Sequence, residues 1–97
     1  MSVLVLVEGP VKTEDIPKMK SYMAEILPGT RAYDGCQGVE LYFNMENSDS
    51  MILFEYWDSR AHHEKYVGWR TETGVMGKIG SMLAGQPSIR YFEKTDT

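Results

Sequence analysis

Aliphatic residues occupy every position from Val3 to Val7 before Glu8-Gly9-Pro10 ends the run, the pattern of a strand covered on both faces. Thr13 or Asp15 can cap the next segment, where Ile16, Met19, Met23, Ile26 and Leu27 recur at helical spacing and Pro17 falls in the tolerant first turn. Pro28-Gly29 predicts an interruption of this helix, with Thr30 to Tyr33 adding a turn before Asp34-Gly35 leads into a second strand. Residues 36–45 alternate: Val39, Leu41, Phe43 and Met45 point one way, Glu40, Tyr42 and Asn44 the other. The polar stretch Asn44 to Ser50 predicts a hairpin loop, and Met51 to Trp57 returns as a strand apolar on both faces.

Asp58-Ser59 stops that strand and supplies an N-cap for a helix running through His62 and Tyr66. Between Gly68 and Gly74 the helix is expected to kink or restart. Val75, Met76, Ile79, Met82 and Leu83 then form another apolar stripe, ended by Gly85-Gln86-Pro87, and Ser88 to Glu93 reads as a last strand. The order is β-α-β-β-α-β, an α+β ferredoxin-like arrangement of a four-stranded antiparallel sheet with helices on one face. Two strands are apolar on both sides, yet the helices cover only one face. The other face would expose a large apolar patch, which predicts a homodimer with two sheets packed face to face as an α+β barrel.

The chain has 97 residues, enough for one domain over 1–97 and too few for a second, and a domain of this size is marginal in burial, which again favours self-association. A net charge of −4, with ten Lys and Arg scattered among fourteen acids, argues against a nucleic-acid surface. Cys36 is the only cysteine, which excludes an internal disulfide and a multi-cysteine metal site and fits a reducing compartment, so the expected location is cytoplasmic. The first apolar run is too short to cross a bilayer and lacks the basic leader and cleavage site of a secretion signal, so no membrane association is expected.

The scarce chemistry gathers between Phe54 and Arg70, which hold both tryptophans and both histidines. Spacings of four, three and four place His62, Tyr66, Trp69 and Thr73 on one helical stripe, able to line an apolar pocket for a flat aromatic ligand or simply to pack as core. Imidazoles exchange protons near neutral pH, and His62, on the aromatic stripe, is the candidate acid or base; the alternative is a solvated helix histidine. His62 and His63 point about a hundred degrees apart and cannot readily share one ion, so no metal site is expected. Glu55, inside an otherwise apolar strand, needs a partner or a shifted pKa. It is the second candidate base, with Arg31, Arg70 or Arg90 as its prospective ion-pair partner. Trp57 shares the strand face of Met51, Leu53 and Glu55. Asn44 and Tyr42 can hydrogen-bond a ligand oxygen or line a dimer seam. No nucleotide loop, zinc-protease helix or serine elbow appears.

Thr30-Arg31-Ala32-Tyr33-Asp34-Gly35-Cys36 ahead of an alternating strand, then Glu55-Tyr56-Trp57-Asp58-Ser59 and a helix starting Arg60-Ala61-His62, resembles the antibiotic biosynthesis monooxygenase domain over nearly the whole chain. The resemblance implies a ferredoxin-like subunit in a dimeric α+β barrel. It also implies oxidation of a quinol or polycyclic phenol by dioxygen without metal, flavin or other cofactor, and a Trp57 that faces the ligand. In that reading His62 or Glu55 is the base, Trp57, Tyr66 and Trp69 form the slot, and Asn44 or Arg70 donates hydrogen bonds. Related haem-degrading enzymes carry an asparagine on the first strand and a histidine in the region of Thr71 to Lys78; this chain has neither. The other class of function is a dimeric domain that binds a small aromatic molecule, or serves in a stress response, without chemistry.

Overall fold

A computed structural model describes residues 2–97. Strand β1 spans Val3–Pro10, a 3-10 turn follows at Thr13–Asp15, and helix α1 spans Ile16–Arg31. Strands β2, Cys36–Phe43, and β3, Ser50–Trp57, form a hairpin; helices α2, Arg60–Glu72, and α3, Val75–Met82, precede strand β4, Ser88–Glu93. The sheet is antiparallel throughout in the order β2-β3-β1-β4, so the two most apolar strands are the central pair. This is the α+β ferredoxin-like order that the periodicities predict.

Register fixes the faces. Val5 stands opposite Glu55, Val7 opposite Leu53, and Val39 opposite Glu55 from the other side, so these residues share the face beneath the helices. Met19, Met23 and Leu27 of α1 close over Val39, Met51 and Leu53, while Trp57, Val5 and Tyr66 form a second cluster near the start of α2. The opposite face carries Leu4, Leu6, Ile52 and Phe54, all half-buried, with Tyr42, Tyr56 and Phe92 exposed around them. No helix lies over it.

Two local expectations need correction. Pro28-Gly29 does not interrupt α1, which runs on to Arg31. Pro28 leaves the Ala24 carbonyl without its helical donor, but the next turn is held from outside: Arg70 Nη2 donates to the Ile26 carbonyl at 2.7 Å, and Thr30 Oγ1 donates to the same carbonyl at 3.4 Å. Gly29 is the approach point, since a Cβ there would lie 3.1 Å from Arg70 Nη2. Second, Met45 lies beyond the end of β2 and is fully exposed. Its alternation with Phe43 stops where the Asn44 side chain begins the turn. The restart expected between Gly68 and Gly74 falls at Gly74, whose φ of +83° caps α3, while Gly68 is an ordinary helical position.

Ser59 caps α2 as expected, its Oγ accepting from the His62 amide at 3.1 Å. Gly35, at the entrance to β2, has φ +89°, and a Cβ there would fall 2.4 Å from the His62 ring. The left-handed conformation and the packed imidazole both require glycine. No described helix is long and apolar enough to cross a membrane.

Candidate active site

Between the sheet and the three helices lies a cavity of about 270 Å³ with walls that are chiefly aliphatic and methionine side chains, among them Met23, Leu53, Met76 and Ile79. Six residues on its wall are polar or titratable: Glu8, Thr30, Glu55, His63, Tyr66 and Thr71. Four of them have their polar atoms occupied. Glu8 gives its carboxylate to Arg90 at 3.2 Å, and Thr71 donates back to the Val67 carbonyl at 2.8 Å. Tyr66 and Thr30 share a 2.5 Å hydroxyl contact, and Arg70 donates to both, from Nε to Tyr66 Oη at 3.0 Å and from Nη2 to Thr30 Oγ1 at 3.2 Å. Glu55 and His63 remain.

Glu55 is 3% exposed and accepts from Trp57 Nε1 at 2.8 Å through Oε1; Oε2 makes no hydrogen bond to any described residue. His63 is 1% exposed, with Nδ1 2.8 Å from Tyr91 Oη and Nε2 3.7 Å from Glu55 Oε1. Burial raises the Glu55 carboxyl to about 7, with the Trp57 hydrogen bond opposing. Burial likewise lowers His63 to about 4, with the nearby Glu64 charge opposing. Near neutrality the pair is therefore a neutral imidazole beside a carboxyl group divided between its two protonation states. Although their separation is that of an ion pair, 3.7 Å is too long for a hydrogen bond, and the depressed imidazole does not supply the cation. The site presents one proton acceptor, tuned to neutral pH, at the wall of an apolar cavity.

The predicted site residues separate into two groups. Glu55 and Tyr66 line the cavity. Trp57 lies on the predicted sheet face but is fully buried and off the cavity wall. Its ring packs on Tyr66 and His63, and its N–H holds Glu55. His62 also lies off that wall: Ser59 Oγ is 2.6 Å from its Nδ1, its ring covers Gly35, and Asp34 is 4.0 Å from Nε2. The stripe of His62, Tyr66, Trp69 and Thr73 is thus rotated from the true cavity face, which carries His63, Tyr66, Val67 and Thr71. Trp69 stacks on Tyr33 at 5.1 Å near the surface, with the Arg70 guanidinium 4.4 Å from its ring. Arg70 itself binds α1 to α2 with donors that are already engaged. Asn44 lies in the hairpin loop, its Oδ1 accepting from the amides of Glu46 and Asn47.

The partner expected for Glu55 is also corrected. Arg31 donates to the Val39 carbonyl, Arg70 serves Tyr66, Thr30 and Ile26, and Arg90 pairs with Glu8, so Glu55 has an indole N–H and no guanidinium. His63 is the residue that sequence reasoning missed. A usable signal was present: three and four residues after His63 come Tyr66 and Val67, both apolar-bodied, whereas three after His62 comes Lys65. Among the described residues no group of three or more His, Cys, Asp or Glu side chains is placed to hold a metal ion.

A ferredoxin-like sheet with helices on one face, an apolar cavity between them and one perturbed carboxyl on its wall define a small α+β domain. The sequence pattern of the antibiotic biosynthesis monooxygenase family matches residues 2–70, and the chain belongs to that family. The fold is similar to that of a conserved protein from Methanosarcina mazei, with a TM-score of 0.89 at 16% identity over 98% of this chain and 94% of that one. It is also similar to Rv0793 from Mycobacterium tuberculosis, with a TM-score of 0.85 at 20% identity over 100% and 98% of the two chains. A structure named antibiotic biosynthesis monooxygenase aligns with a TM-score of 0.85 at 16% identity, covering 96% and 98%. No curated protein matches the sequence significantly.

Proposed function

We propose that this protein is a cofactor-independent monooxygenase that uses dioxygen to oxidise a small phenol or quinol held in the cavity, with Glu55 as the base. The observation that carries the reading is Glu55 on the wall of a chiefly apolar cavity, with one carboxyl oxygen free of hydrogen bonds to the described residues and the carboxyl raised to about 7 by burial. A base with that pKa removes a phenolic proton at neutral pH without being permanently ionised, the match that general base catalysis needs. The cavity of about 270 Å³ lies just under the ~300 Å³ lower end of small-molecule sites, which favours one or two rings over a larger polycycle.

The substrate supplies the electrons. Glu55 takes the hydroxyl proton, and the phenolate passes one electron to dioxygen. Superoxide and the phenoxyl radical then join through a new C–O bond at an unsubstituted ring carbon. Glu55 returns its proton to the peroxide anion, the ring C–H bond and the O–O bond then break together to leave the second carbonyl, and the departing hydroxide takes the ring proton to leave as water. A phenol and one dioxygen thus become a quinone and one water, with no external reductant. The dry walls keep the phenolate and the radical pair from solvent.

The assembly belongs to the same reading. Two copies pack by the uncovered sheet faces, burying Leu6, Ile52 and Phe54, which a monomer leaves half-exposed.

The test is dissolved-oxygen uptake by metal-free protein with a panel of one- and two-ring phenols and quinols, each corrected for autoxidation. The expected result is protein-dependent uptake with a quinone product, reduced at least about a hundredfold in Glu55→Gln, which cannot accept the proton. Undiminished turnover in Glu55→Gln refutes Glu55 as base. Saturable quenching of tryptophan fluorescence by the same compounds, without oxygen uptake, would instead assign a binding domain without chemistry.

A further inference from the structure

Glu55 faces an apolar cavity and is 3% exposed, so water reaches it poorly from the ligand side, and less once a ligand fills the space. Next to it stand two groups that the proposed reaction does not use, His63 on the same cavity wall and Tyr91 outside that wall. His63 Nε2 is 3.7 Å from Glu55 Oε1, and His63 Nδ1 is 2.8 Å from the hydroxyl of Tyr91. Tyr91 is half-buried on β4, an edge strand, and the ring lies under the Arg60 guanidinium at 4.2 Å, on a side chain that is 63% exposed. The three residues come from β3, α2 and β4 and meet in a line from cavity wall to protein surface.

We propose that His63 and Tyr91 form the proton path by which Glu55 equilibrates with solvent, leading away from the cavity wall rather than through the cavity. The inference rests on the reading of Glu55 as the base and gives that base a means of reaching its working protonation state while the ligand side is dry. In the outward step the carboxyl O–H bond of Glu55 breaks as its proton binds His63 Nε2. The Nδ1–H proton moves to the Tyr91 oxygen, and the Tyr91 hydroxyl proton passes to water. One proton leaves the protein, His63 changes tautomer, and the inward step is the reverse. The 3.7 Å gap must close by a small rotation of Glu55, as catalytic hydrogen bonds commonly tighten from a resting geometry.

The charge environment fits a conduit rather than a store. His63 is held well below the usual imidazole range by burial, so a proton does not rest there. The Tyr91 hydroxyl is raised by burial and by Glu64, with Arg60 opposing, and so remains a neutral donor and acceptor. Tyr66 and Cys36 are the other titratable groups facing Glu55, both raised chiefly by burial, and neither leads to Tyr91.

The decisive measurement needs no substrate. After a rapid jump from about pH 6 to about pH 8, across the Glu55 midpoint, the loss of its protonated carboxyl band is followed by time-resolved infrared spectroscopy, with Glu55→Gln identifying the band. Tyr91→Phe and His63→Asn are each expected to slow that loss at least about tenfold while leaving its equilibrium midpoint in place. A merely structural role would move the midpoint and the rate together. A Tyr91→Phe rate equal to wild type overturns the path, including the case in which only His63→Asn is slow. Slowing that is accompanied by a shifted midpoint also overturns it. Because oxygen uptake is a separate assay, a failed panel of phenols leaves this result standing, and a normal rate in Tyr91→Phe leaves the monooxygenase reading standing.

Discussion

Replacing Glu55 with Gln should change the pH dependence of stability in a direction set by burial. The carboxyl has an ordinary value of 4.5 and is raised to about 7 in the folded protein, because ionisation there costs desolvation that one indole N–H only partly repays. Its stabilising contribution is complete below pH 4.5 and is lost as pH rises through 7, beyond which the folded state carries a buried anion. At ~1.4 kcal/mol per unit, the displacement amounts to about 3 kcal/mol. Glutamine keeps an oxygen for Trp57 Nε1 and never ionises, so the variant avoids this loss.

Urea unfolding of both proteins at one fixed concentration, from about pH 4 to about pH 8.5, gives the difference directly. His63, lowered to about 4, contributes a dependence of opposite sign that is present above its unfolded value and lost as pH falls. It is common to both proteins and cancels in the difference. The variant should gain about 3 kcal/mol relative to wild type between the acid and alkaline ends, on top of a pH-independent offset of about 1 kcal/mol for the buried amide donor. A difference independent of pH, or one that moves toward wild type as pH rises, would refute a carboxyl held upward by burial.

Gly35→Ala should destabilise by at least about 2 kcal/mol, since it combines a strained left-handed residue with the His62 ring. In a His62→Ala background the cost should fall to about 1–2 kcal/mol, which a double-mutant cycle by urea unfolding measures. Arg70→Lys removes the fork that reaches Tyr66, Thr30 and Ile26 together and should cost about 2–4 kcal/mol, read as a lower urea midpoint. A cost near zero would mean that α1 does not need this brace after Pro28. Phe54→Asp, on the uncovered sheet face, should leave circular dichroism intact and convert the proposed dimer to monomer by light scattering; a wild-type monomer, or a dimer mass unchanged in the variant, would refute this interface.

The strands were legible because their signals are local. The aliphatic run at Val3, the alternation from Val39 to Phe43 and the two-faced apolar strand before Trp57 each specify a strand without reference to the rest of the chain. The Ser59 cap was equally readable, as was the placing of Glu55 and Trp57 on one face, although which side of the sheet that face occupied was not. Pro28-Gly29 misled because the compensation comes from Arg70, forty-two positions after Pro28, whose bonds to the Ile26 carbonyl and Thr30 hold a turn that local rules would break.

The sequence by itself determined the β-α-β-β-α-β order, that the helices cover one face of the sheet only, and the presence of one carboxylate where a strand should be apolar. Only the tertiary structure decided which histidine meets that carboxylate. His62 and His63 differ by a single helical step of about a hundred degrees, and the rotation of α2 about its axis is fixed by contacts distant in sequence: Arg70 on α1, the His62 ring over Gly35, and Tyr91 behind His63. Periodicity gives a helix its apolar stripe. The packing of that stripe against the sheet selects the residue that becomes buried chemistry and the one that remains a capped surface side chain.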